Sequence, residues 1–270
     1  MQLIFIMKTN NFLTHQINQI LRLRKVWWFS ATARSKARFA RTTLGGFWLG
    51  LSNLLSVAAL GSVYGVVFKV EDIYSYVVYL GVGLVSWNAL ASSITTAPTL
   101  FEQNKDQVLN TNINHIFYPL EEWAFQTQTF FQSFSLVIIG LSFFQPSLLI
   151  HIFTVSILPV INFLIFMYWL PLCVSILGLK YKDLYQLIPV ILQMMFLVSP
   201  ILYKKETLGN LSFTADLNPV FQALNFLREA LITGNLSLKK LALMTIINVL
   251  GLLMSMYLLK RSRKELPFLV

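Results

Sequence analysis

Residues 180–234 read KYKDLYQLIPVILQMMFLVSPILYKKETLGNLSFTADLNPVFQALNFLREALITG. This stretch begins with a short charged loop, continues as an apolar segment that ends in SPILY at 199–203, and then becomes polar. A second, amphipathic segment follows Asn218 and Pro219 and carries Arg228. Because about 20 mostly apolar residues are enough to cross a bilayer, the pattern predicts a membrane-spanning helix followed by a loop and one short amphipathic segment.

The composition extends this prediction to the whole chain. Of the 270 residues, 56% are hydrophobic and only 12% are charged, whereas soluble domains contain about 25% charged residues. The formal net charge of +10 is better explained by basic flanks of membrane spans than by nucleic-acid binding. The chain is therefore predicted to be an all-α integral membrane protein that contacts membrane lipids and binds no nucleic acid.

Six segments are long and apolar enough to be spanning helices. They cover residues 44–68, 76–98, 122–144, 148–177, 184–203 and 239–260. The fourth segment contains Pro159 and Pro171, which predict a kink or a tilt in that helix.

The distribution of basic residues predicts the orientation. Most of the 21 Lys and Arg residues precede the first span, follow the last, or lie in the loops at 99–121 and 180–183. An even number of spans puts both termini on one side, and the basic excess identifies that side as the cytoplasm. Lys239 and Lys240 fall on the other side, which weakens the asymmetry without reversing it.

Two segments outside the spans have amphipathic patterns. Residues 17–41 mix aromatic and aliphatic side chains with bases, which predicts a helix lying on the cytoplasmic leaflet; an ordinary basic flank is the alternative. The loop at 99–121 is too polar to span, yet Val108, Leu109, Ile113 and Phe117 are spaced as on a short helix. A loop lying on the membrane surface is the alternative there.

The sequence carries no pattern typical of an enzyme or a metal site. No GxxxxGK[ST] phosphate loop occurs, so ATP is not expected to bind to this chain. His15, His115 and His151 are far apart and lack acidic or Cys partners at ligand spacing. We therefore expect no catalytic, cofactor-binding or metal-binding residues, and we expect the energy for any transport to come from a partner.

The first predicted span contains four glycines. Gly46, Gly50, Gly61 and Gly65 form two GxxxG pairs on one helical face, which predicts close helix packing. Packing against a second copy at the mouth of a channel and packing against another span of the same chain are both open.

The residues at the end of the decisive stretch resemble a known family. Ser199, Pro200, Tyr203, Asn218, Pro219, Arg228 and Gly234 occur in the order found in ABC-2 type permeases that export O-antigen, capsule or teichoic-acid polysaccharides. The family's entrance to its first span is similar to Arg38, Arg41, Thr42, Leu44, Gly45 and Trp48, although Gly46 replaces a common Pro. Its coupling loop is similar to Leu109 with Phe117 and Pro119, although Tyr118 is extra.

The resemblance implies a domain organisation. It implies a cytoplasmic N-terminus with an interfacial helix at 1–43, a six-span permease domain at 44–260 and a cytoplasmic tail at 261–270. Within the permease domain it implies a cytoplasmic coupling loop at 99–121 and short re-entrant external helices in a gate segment at 204–238.

The resemblance also implies roles for particular residues. Coupling to the ATPase would fall to Asn104, Lys105, Leu109, Ile113, Phe117 and Pro119. Arg38 and Arg41 would meet the substrate head group at its entrance, and the four glycines would pack helices. The channel and its gate would use Trp48, Ser199, Pro200, Tyr203, Asn218, Pro219 and Arg228, although Arg228 could instead be a plain interface anchor.

The implied protein is a homodimeric permease in the bacterial inner membrane. It would pair with two copies of a separate ATPase, which would bind ATP and Mg²⁺, and would export a lipid-linked polysaccharide. An exporter of another lipid or a drug-like substrate on the same fold is the main alternative. A membrane-bound glycan-assembly enzyme would need clustered acidic residues with bases, and Glu121, Glu122 and Asp183 lack such neighbours in the sequence. A structural membrane subunit is a further alternative.

Overall fold

The computed structural model describes residues 22–111, 113–263 and 265–269, and every regular element in these ranges is helical. Within the amphipathic segment predicted at 17–41, Arg24–Phe39 form a helix, and residues 17–21 lie outside the described ranges. The α-helices are α1 (Arg24–Phe39), α2 (Phe47–Val67), α3 (Ile73–Thr96), α4 (Leu100–Gln103), α5 (Lys105–Asn110), α6 (Phe117–Ser142), α7 (Ser147–Thr154), α8 (Ile157–Lys180), α9 (Leu184–Val198), α10 (Ser212–Leu217), α11 (Pro219–Thr233), α12 (Leu238–Ser262) and α13 (Leu266–Leu269). Two 3₁₀ helices cover Ala97–Thr99 and Lys205–Leu211.

Four of the described helical segments are long and apolar enough to cross a membrane. They are Phe47–Val67, Ile73–Gln103, Ile157–Lys180 and Leu238–Ser262. They correspond to the first, second, fourth and sixth predicted spans, so the all-α, multi-pass prediction is confirmed. The count of six spans stays a prediction.

The third and fifth predicted spans differ from the helices that form there. Helix α6 has 26 residues, about 39 Å, but it begins at Phe117 rather than at 122, and polar residues in its first half lower its hydropathy. Helix α9 has 15 residues, about 22 Å, which is shorter than the roughly 30 Å hydrocarbon core. It ends at Val198, so the predicted end at 203 was wrong.

The fourth predicted span, 148–177, is two helices rather than one long helix. Helix α7 ends at Thr154 and α8 begins at Ile157. Pro159 lies in the first turn of α8, and its ring would clash with the carbonyl of Val155 if one helix continued through both segments. Proline therefore breaks this segment, whereas Pro171 is tolerated inside α8.

Helices α3 and α8 form the centre of the structure. In the most apolar stretch of 18 residues, 67% of the stretch is buried for the segment that contains α3 and 61% for α8. The corresponding share is only 22% in α2 and in α12. Helix α6 packs against α2 and α3, and α12 packs along α8. The aromatic rings of Phe130, Phe163 and Phe166 are buried where α6 and α8 meet the rest of the core.

A buried polar cluster joins α8 to α12. The Trp169 indole N–H donates to Asn248 Oδ1 at 2.9 Å, and the Asn248 amide donates to Asn162 Oδ1 at 2.9 Å. Gly251 lets the Trp169 ring lie directly on the backbone of α12, because a Cβ there would overlap the ring. The cluster fixes the register of two spans with groups that lipid could not satisfy.

Replacing Asn248 tests this register. We expect Asn248→Leu to lower the free energy of unfolding by about 1–3 kcal/mol, because it leaves the buried indole N–H of Trp169 without an acceptor and removes the amide that donates to Asn162. Thermal unfolding in detergent, followed by circular dichroism, should show a lower Tm than wild type. Asn235→Leu, the same change at an exposed loop position, serves as control; equal Tm values for the two variants would contradict the assignment.

Candidate functional site

Segments that the topology prediction places on one membrane side meet at one end of the structure. Lys182 lies 3.7 Å from Glu102, and Lys180 lies 2.9 Å from Glu265. The Tyr185 hydroxyl donates to Glu102 at 2.6 Å. The loop before α9, helix α4 and the C-terminal segment therefore lie together at what we call the terminal end.

The loop between α3 and α6 contains the short helix α5 at this terminal end. Asn104 lies between α4 and α5, and its amide donates to the Leu100 carbonyl at 2.8 Å. Val108 is buried, whereas Leu109 and Ile113 are exposed. Within this part of the loop Val108 is the anchor, and Leu109 and Ile113 are presented outward, with Lys105 at the start of the helix.

Phe117 and Pro119 do not belong to this loop. Both lie in the first turn of α6, where proline is tolerated because the first backbone N–H groups have no partner within the helix. Pro119 is buried. The structure therefore places Asn104, Lys105, Leu109 and Ile113 in the loop and Phe117 and Pro119 at a helix start, although Phe117 lines one cavity together with Asn104.

Helix α1 packs across the beginning of α6. Trp27, Ala31 and Ser35, spaced four residues apart, form its buried face. Arg34 forms ion pairs with Glu121, at 3.0 Å, and with Glu122. Its guanidinium also lies 3.9 Å from the Phe125 ring centroid, so one side chain holds the N-terminal helix to the second turn of α6.

A polar cavity opens between α2, α3 and α6 near the terminal end. Its volume is about 120 Å³, and its lining includes the amides and hydroxyls of Asn53, Asn88, Ser92, Gln126, Thr129 and Ser133, with Arg38 among the lining residues. The Asn53 amide donates to Ser133 at 2.7 Å, and the Asn88 amide donates to Asn53 at 2.8 Å. Polar side chains on spanning helices are costly in lipid and face protein or water, so this cavity offers a hydrophilic ligand groups that lipid would not.

The other predicted entrance residues lie outside this cavity. Arg41 is exposed in the turn between α1 and α2, and it does not line the cavity that Arg38 lines. Trp48 is 44% exposed in the first turn of α2. It lies at the opposite end of that helix from Phe68, whose ring lies near Tyr203. The structure therefore separates Trp48 from the rest of the predicted gate.

The SPILY segment is held at the other end of the structure, which we call the gate end. Its backbone leaves the helix after Val198, and side chains from α3 bind its carbonyls. The Tyr76 hydroxyl donates to the Leu202 carbonyl at 2.6 Å, and the Tyr79 hydroxyl donates to those of Pro200 and Tyr203 at 3.0 and 3.1 Å. These carbonyls lack helical partners; Leu202 gains one from Tyr76, and the Pro200 and Tyr203 carbonyls share the single hydroxyl hydrogen of Tyr79.

Asn218 and Pro219 start α11 and connect it to the SPILY segment. The Asn218 side chain accepts from the backbone N–H groups of Val220 and Phe221, and its amide donates to Ser199 at 2.9 Å. Pro219 occupies the first helical position, where its missing N–H is not needed. The helix ends at Gly234 in the left-handed conformation (φ 68°), where the ring of His151 lies against the backbone.

Arg228 is the most buried cation of the gate end, with 1% of its surface exposed. Its guanidinium donates to the Pro200 carbonyl at 3.1 Å and to Asn225 Oδ1 at 2.8 Å. It also lies 3.7 Å from the centroid of the Tyr79 ring. Arg228 therefore binds SPILY from inside the protein, and its assignment to a gate stays a prediction.

The glycine face of α2 is occupied within the chain. A Cβ at Gly50 would lie 2.5 Å from the Leu136 side chain of α6, and one at Gly61 would lie 3.1 Å from Val77 of α3. Gly46 similarly faces Gln132, and Gly65 faces Ile73. Of the two open interpretations, the structure therefore supports packing inside the chain.

Across the described ranges, no group of three or more His, Cys, Asp or Glu side chains is arranged to hold a metal ion. His15 lies outside those ranges. The expectation that ATP and Mg²⁺ bind to a partner stays a prediction.

Comparison with known proteins identifies the family of this chain. The ABC-2 type transporter family matches residues 27–232, which span α1 to the end of α11. The chain belongs to the ABC-2 type transporter family. This permease is also similar to two O-antigen export system permease proteins named RfbA from Klebsiella pneumoniae. One is 24% identical over 224 residues, covering 80% of this chain and 85% of the relative; the other is 24% identical over 214 residues, covering 78% and 82%.

Several residues of this ABC-2 permease were missed by sequence reasoning. Tyr76 and Tyr79 lie one turn apart on α3, and Asn53 and Asn88 lie inside apolar spans. The sequence did contain a signal for these residues, because polar side chains within an apolar span face protein or water rather than lipid. The pairing of Arg34 with Glu121 and Glu122 had no such signal, because it joins residues 87 or more positions apart.

Replacing Arg228 tests its hold on the SPILY segment. We expect Arg228→Met to speed amide hydrogen exchange in residues 196–204 about tenfold or more, because each 1.4 kcal/mol of lost stabilisation is a factor of ten. Hydrogen–deuterium exchange with mass spectrometry measures this directly. Lys240→Met removes a cation that pairs with Glu229 but does not bind SPILY, and exchange that is equal in both variants would contradict the assignment.

Proposed function

We propose that this chain is the permease subunit of an ABC exporter that moves a lipid-linked polysaccharide across the bacterial inner membrane. Two copies form a homodimer that pairs with two copies of a separate ATPase, which binds ATP and Mg²⁺. Both termini, and with them the terminal end of the structure, face the cytoplasm. The names of the two Klebsiella relatives support the substrate class.

The observation that carries this proposal is the polar cavity beside Arg38. Amides and hydroxyls line it within the membrane-spanning region, where an apolar drug or lipid would gain nothing from them. A glycan supplies hydroxyls that can exchange hydrogen bonds with such a lining. A phosphate on the same molecule would pair with a guanidinium.

The terminal end suits contact with an ATPase. Leu109 and Ile113 are exposed next to the buried Val108, so a partner can cover two apolar side chains on an element that is itself anchored in the core. Movement of α5 would act on the start of α6, because only residues 111–116 separate them. From there Arg34 would pass the movement to α1.

The gate end closes the path on the external side in this proposal. Helix α11 packs against α3, α7 and α8, and Arg228, Tyr76 and Tyr79 tie SPILY to it and to α3. Opening would release these hydrogen bonds and withdraw the buried side chains of Ile201 and Leu202, while leaving the aromatic core between α6 and α8 intact. In this proposal α11 is one of the short re-entrant helices of the gate segment.

An ABC-2 exporter of another lipid or a drug-like molecule is the second candidate. The apolar surface of the spans is the one feature that favours this second candidate. Both candidates have the same fold and the same kind of ATPase partner. The two candidates differ in their need for the polar cavity, so they can be separated by variants of Arg38.

Variants of the α5 loop test the coupling role. We expect Leu109→Asp combined with Ile113→Asp to abolish export, because charged groups replace the apolar contacts that a partner would bury. Export of surface polysaccharide and co-purification of the ATPase with the tagged permease are the measurements. Leu217→Asp, at an exposed apolar position of the gate end, is the control; normal export by the double variant would contradict the coupling role.

Variants of Arg38 test the substrate class. We expect Arg38→Gln to slow polysaccharide export about tenfold, because charge-assisted hydrogen bonds to phosphate are roughly twice as strong as neutral ones. Lys36→Gln removes the same charge from α1 away from the cavity and should export normally. A loss that is equal in both variants would point to general charge near the membrane, and no loss in either would favour the second candidate.

A further inference from the structure

A second polar cavity lies at the gate end; of its lining, the sequence singled out Tyr203 individually and Lys204 and Thr207 as part of the gate segment 204–238. Its volume is about 340 Å³, nearly three times that of the cavity beside Arg38. It lies between the turn that joins α2 to α3 and the chain that follows α9. Its lining consists of Phe68, Val70, Glu71, Asp72, Tyr76, Tyr203, Lys204 and Thr207.

A rigid turn builds one wall of this cavity. Lys69 adopts a φ of 50°, and the Val70 N–H donates to the Gly65 carbonyl at 3.0 Å while the Lys69 N–H donates to Val66 at 3.1 Å. This pair of bonds is the Schellman arrangement that ends a helix, with Lys69 where glycine is usual. Asp72 then caps α3, and the Ser75 hydroxyl that donates to it lowers the pKa of its carboxyl. The turn is thereby fixed at both ends.

Aromatic rings form the second feature of the cavity. Phe68 stacks on Tyr64, with ring centroids 5.4 Å apart, and meets Tyr203 edge-on at 6.5 Å. The Tyr203 hydroxyl donates to the Leu197 carbonyl at 2.9 Å, which holds its ring in place. Phe68 stays 39% exposed, so a ligand can reach its face.

Charged groups form the third feature. Asp72 is engaged in its cap, but Glu71 forms no hydrogen bond or ion pair within the part of the chain that the structure describes. Its carboxylate is therefore available as an acceptor, with the Lys204 ammonium and the Thr207 hydroxyl as donors in the same lining. The two carboxylates and one ammonium give the lining a net negative charge.

We propose that this cavity binds one neutral sugar residue of the exported glycan after it has passed the gate. The face of a pyranose ring presents C–H groups that suit the electron-rich face of Phe68. Two neighbouring hydroxyls suit the free carboxylate of Glu71, and a third suits Lys204. The negative lining disfavours an acidic sugar, and the charged rim lies beyond the ends of α2 and α3, where a lipid tail would not be stabilised.

This inference rests on the proposed function, because it needs a glycan at the external side. It is nevertheless independent of the α5 loop and of Arg38, which lie at the terminal end. If the sugar site is wrong, the proposed export function and ATPase coupling are still tested by the variants of Arg38 and of the α5 loop. The two hypotheses can therefore fail separately.

Photo-cross-linking tests the site in the full-length protein. The probe is p-benzoylphenylalanine placed at Phe68 in cells that make the polysaccharide, with irradiation before purification through a C-terminal tag. We expect adducts that react with hydrazide after periodate oxidation, which marks neighbouring hydroxyls. The same probe at Phe213, an exposed aromatic position of the gate end outside the cavity, is the matched control.

A second variant keeps the test sharp. Adding Glu71→Gln to the Phe68 probe should lower the yield of glycan adduct about tenfold, because the charged acceptor is lost. Equal adducts at Phe68 and Phe213, adducts unaffected by Glu71→Gln, or adducts made only of protein or phospholipid would each overturn the site. Absence of any glycan adduct while export continues would also overturn it and would leave the proposed function in place.

Discussion

Backbone carbonyls that leave a helix inside a membrane protein must find partners within the protein, and the gate end of this permease is built around that constraint. Three carbonyls of SPILY have no helical partners, those of Pro200, Leu202 and Tyr203. Hydrogen bonds to them are donated by the side chains of Tyr76, Tyr79 and Arg228. These side chains come from α3 and α11, so satisfying one irregular segment joins three elements. A buried Arg is costly, and here hydrogen bonds to a carbonyl and an amide, together with a tyrosine face, stabilise it.

The two ends of the molecule use charge in different ways. At the terminal end, Arg34 pairs with two carboxylates at the start of α6, and its partly exposed position leaves the pair accessible to water. At the gate end, Arg228 has no carboxylate within hydrogen-bond reach among the described residues, and Asn225 lies between it and Glu229. The first arrangement fixes where a helix lies on the protein, whereas the second fixes the conformation of a backbone segment.

Much of the fold could be predicted because membrane spans are a local property of the sequence. Four apolar segments became long helices. The resemblance assigned Ser199, Asn218 and Arg228 to the channel and its gate; in the structure Asn218 binds Ser199 and Arg228 binds the neighbouring Pro200, while the gate role stays a prediction. Pro159 and Pro171 predicted a kink or a tilt in one helix, but the segment breaks into α7 and α8, because the ring of Pro159 would clash with the Val155 carbonyl in a continuous helix. The end of α9 was placed too late because SPILY is apolar, although it is not helical. The Arg34 ion pairs and the partners of the α2 glycines were beyond prediction, since they depend on which helices pack together.

The packing also limits how this permease can move. Helices α3 and α8 are buried along most of their length and joined to α6 and α12 by rings and amides, so displacing them would open a close-packed core at a cost of several kcal/mol for each large side chain. The SPILY segment is held by hydrogen bonds, each with a net contribution of about 0.5–1.5 kcal/mol, or about 1.5–3 kcal/mol where the charged Arg228 donates. It is also held by Ile201 and Leu202, whose side chains are buried in the core. In the proposed exporter, opening the gate therefore has to break these hydrogen bonds and also withdraw two apolar side chains, while α3 and α8 stay in place.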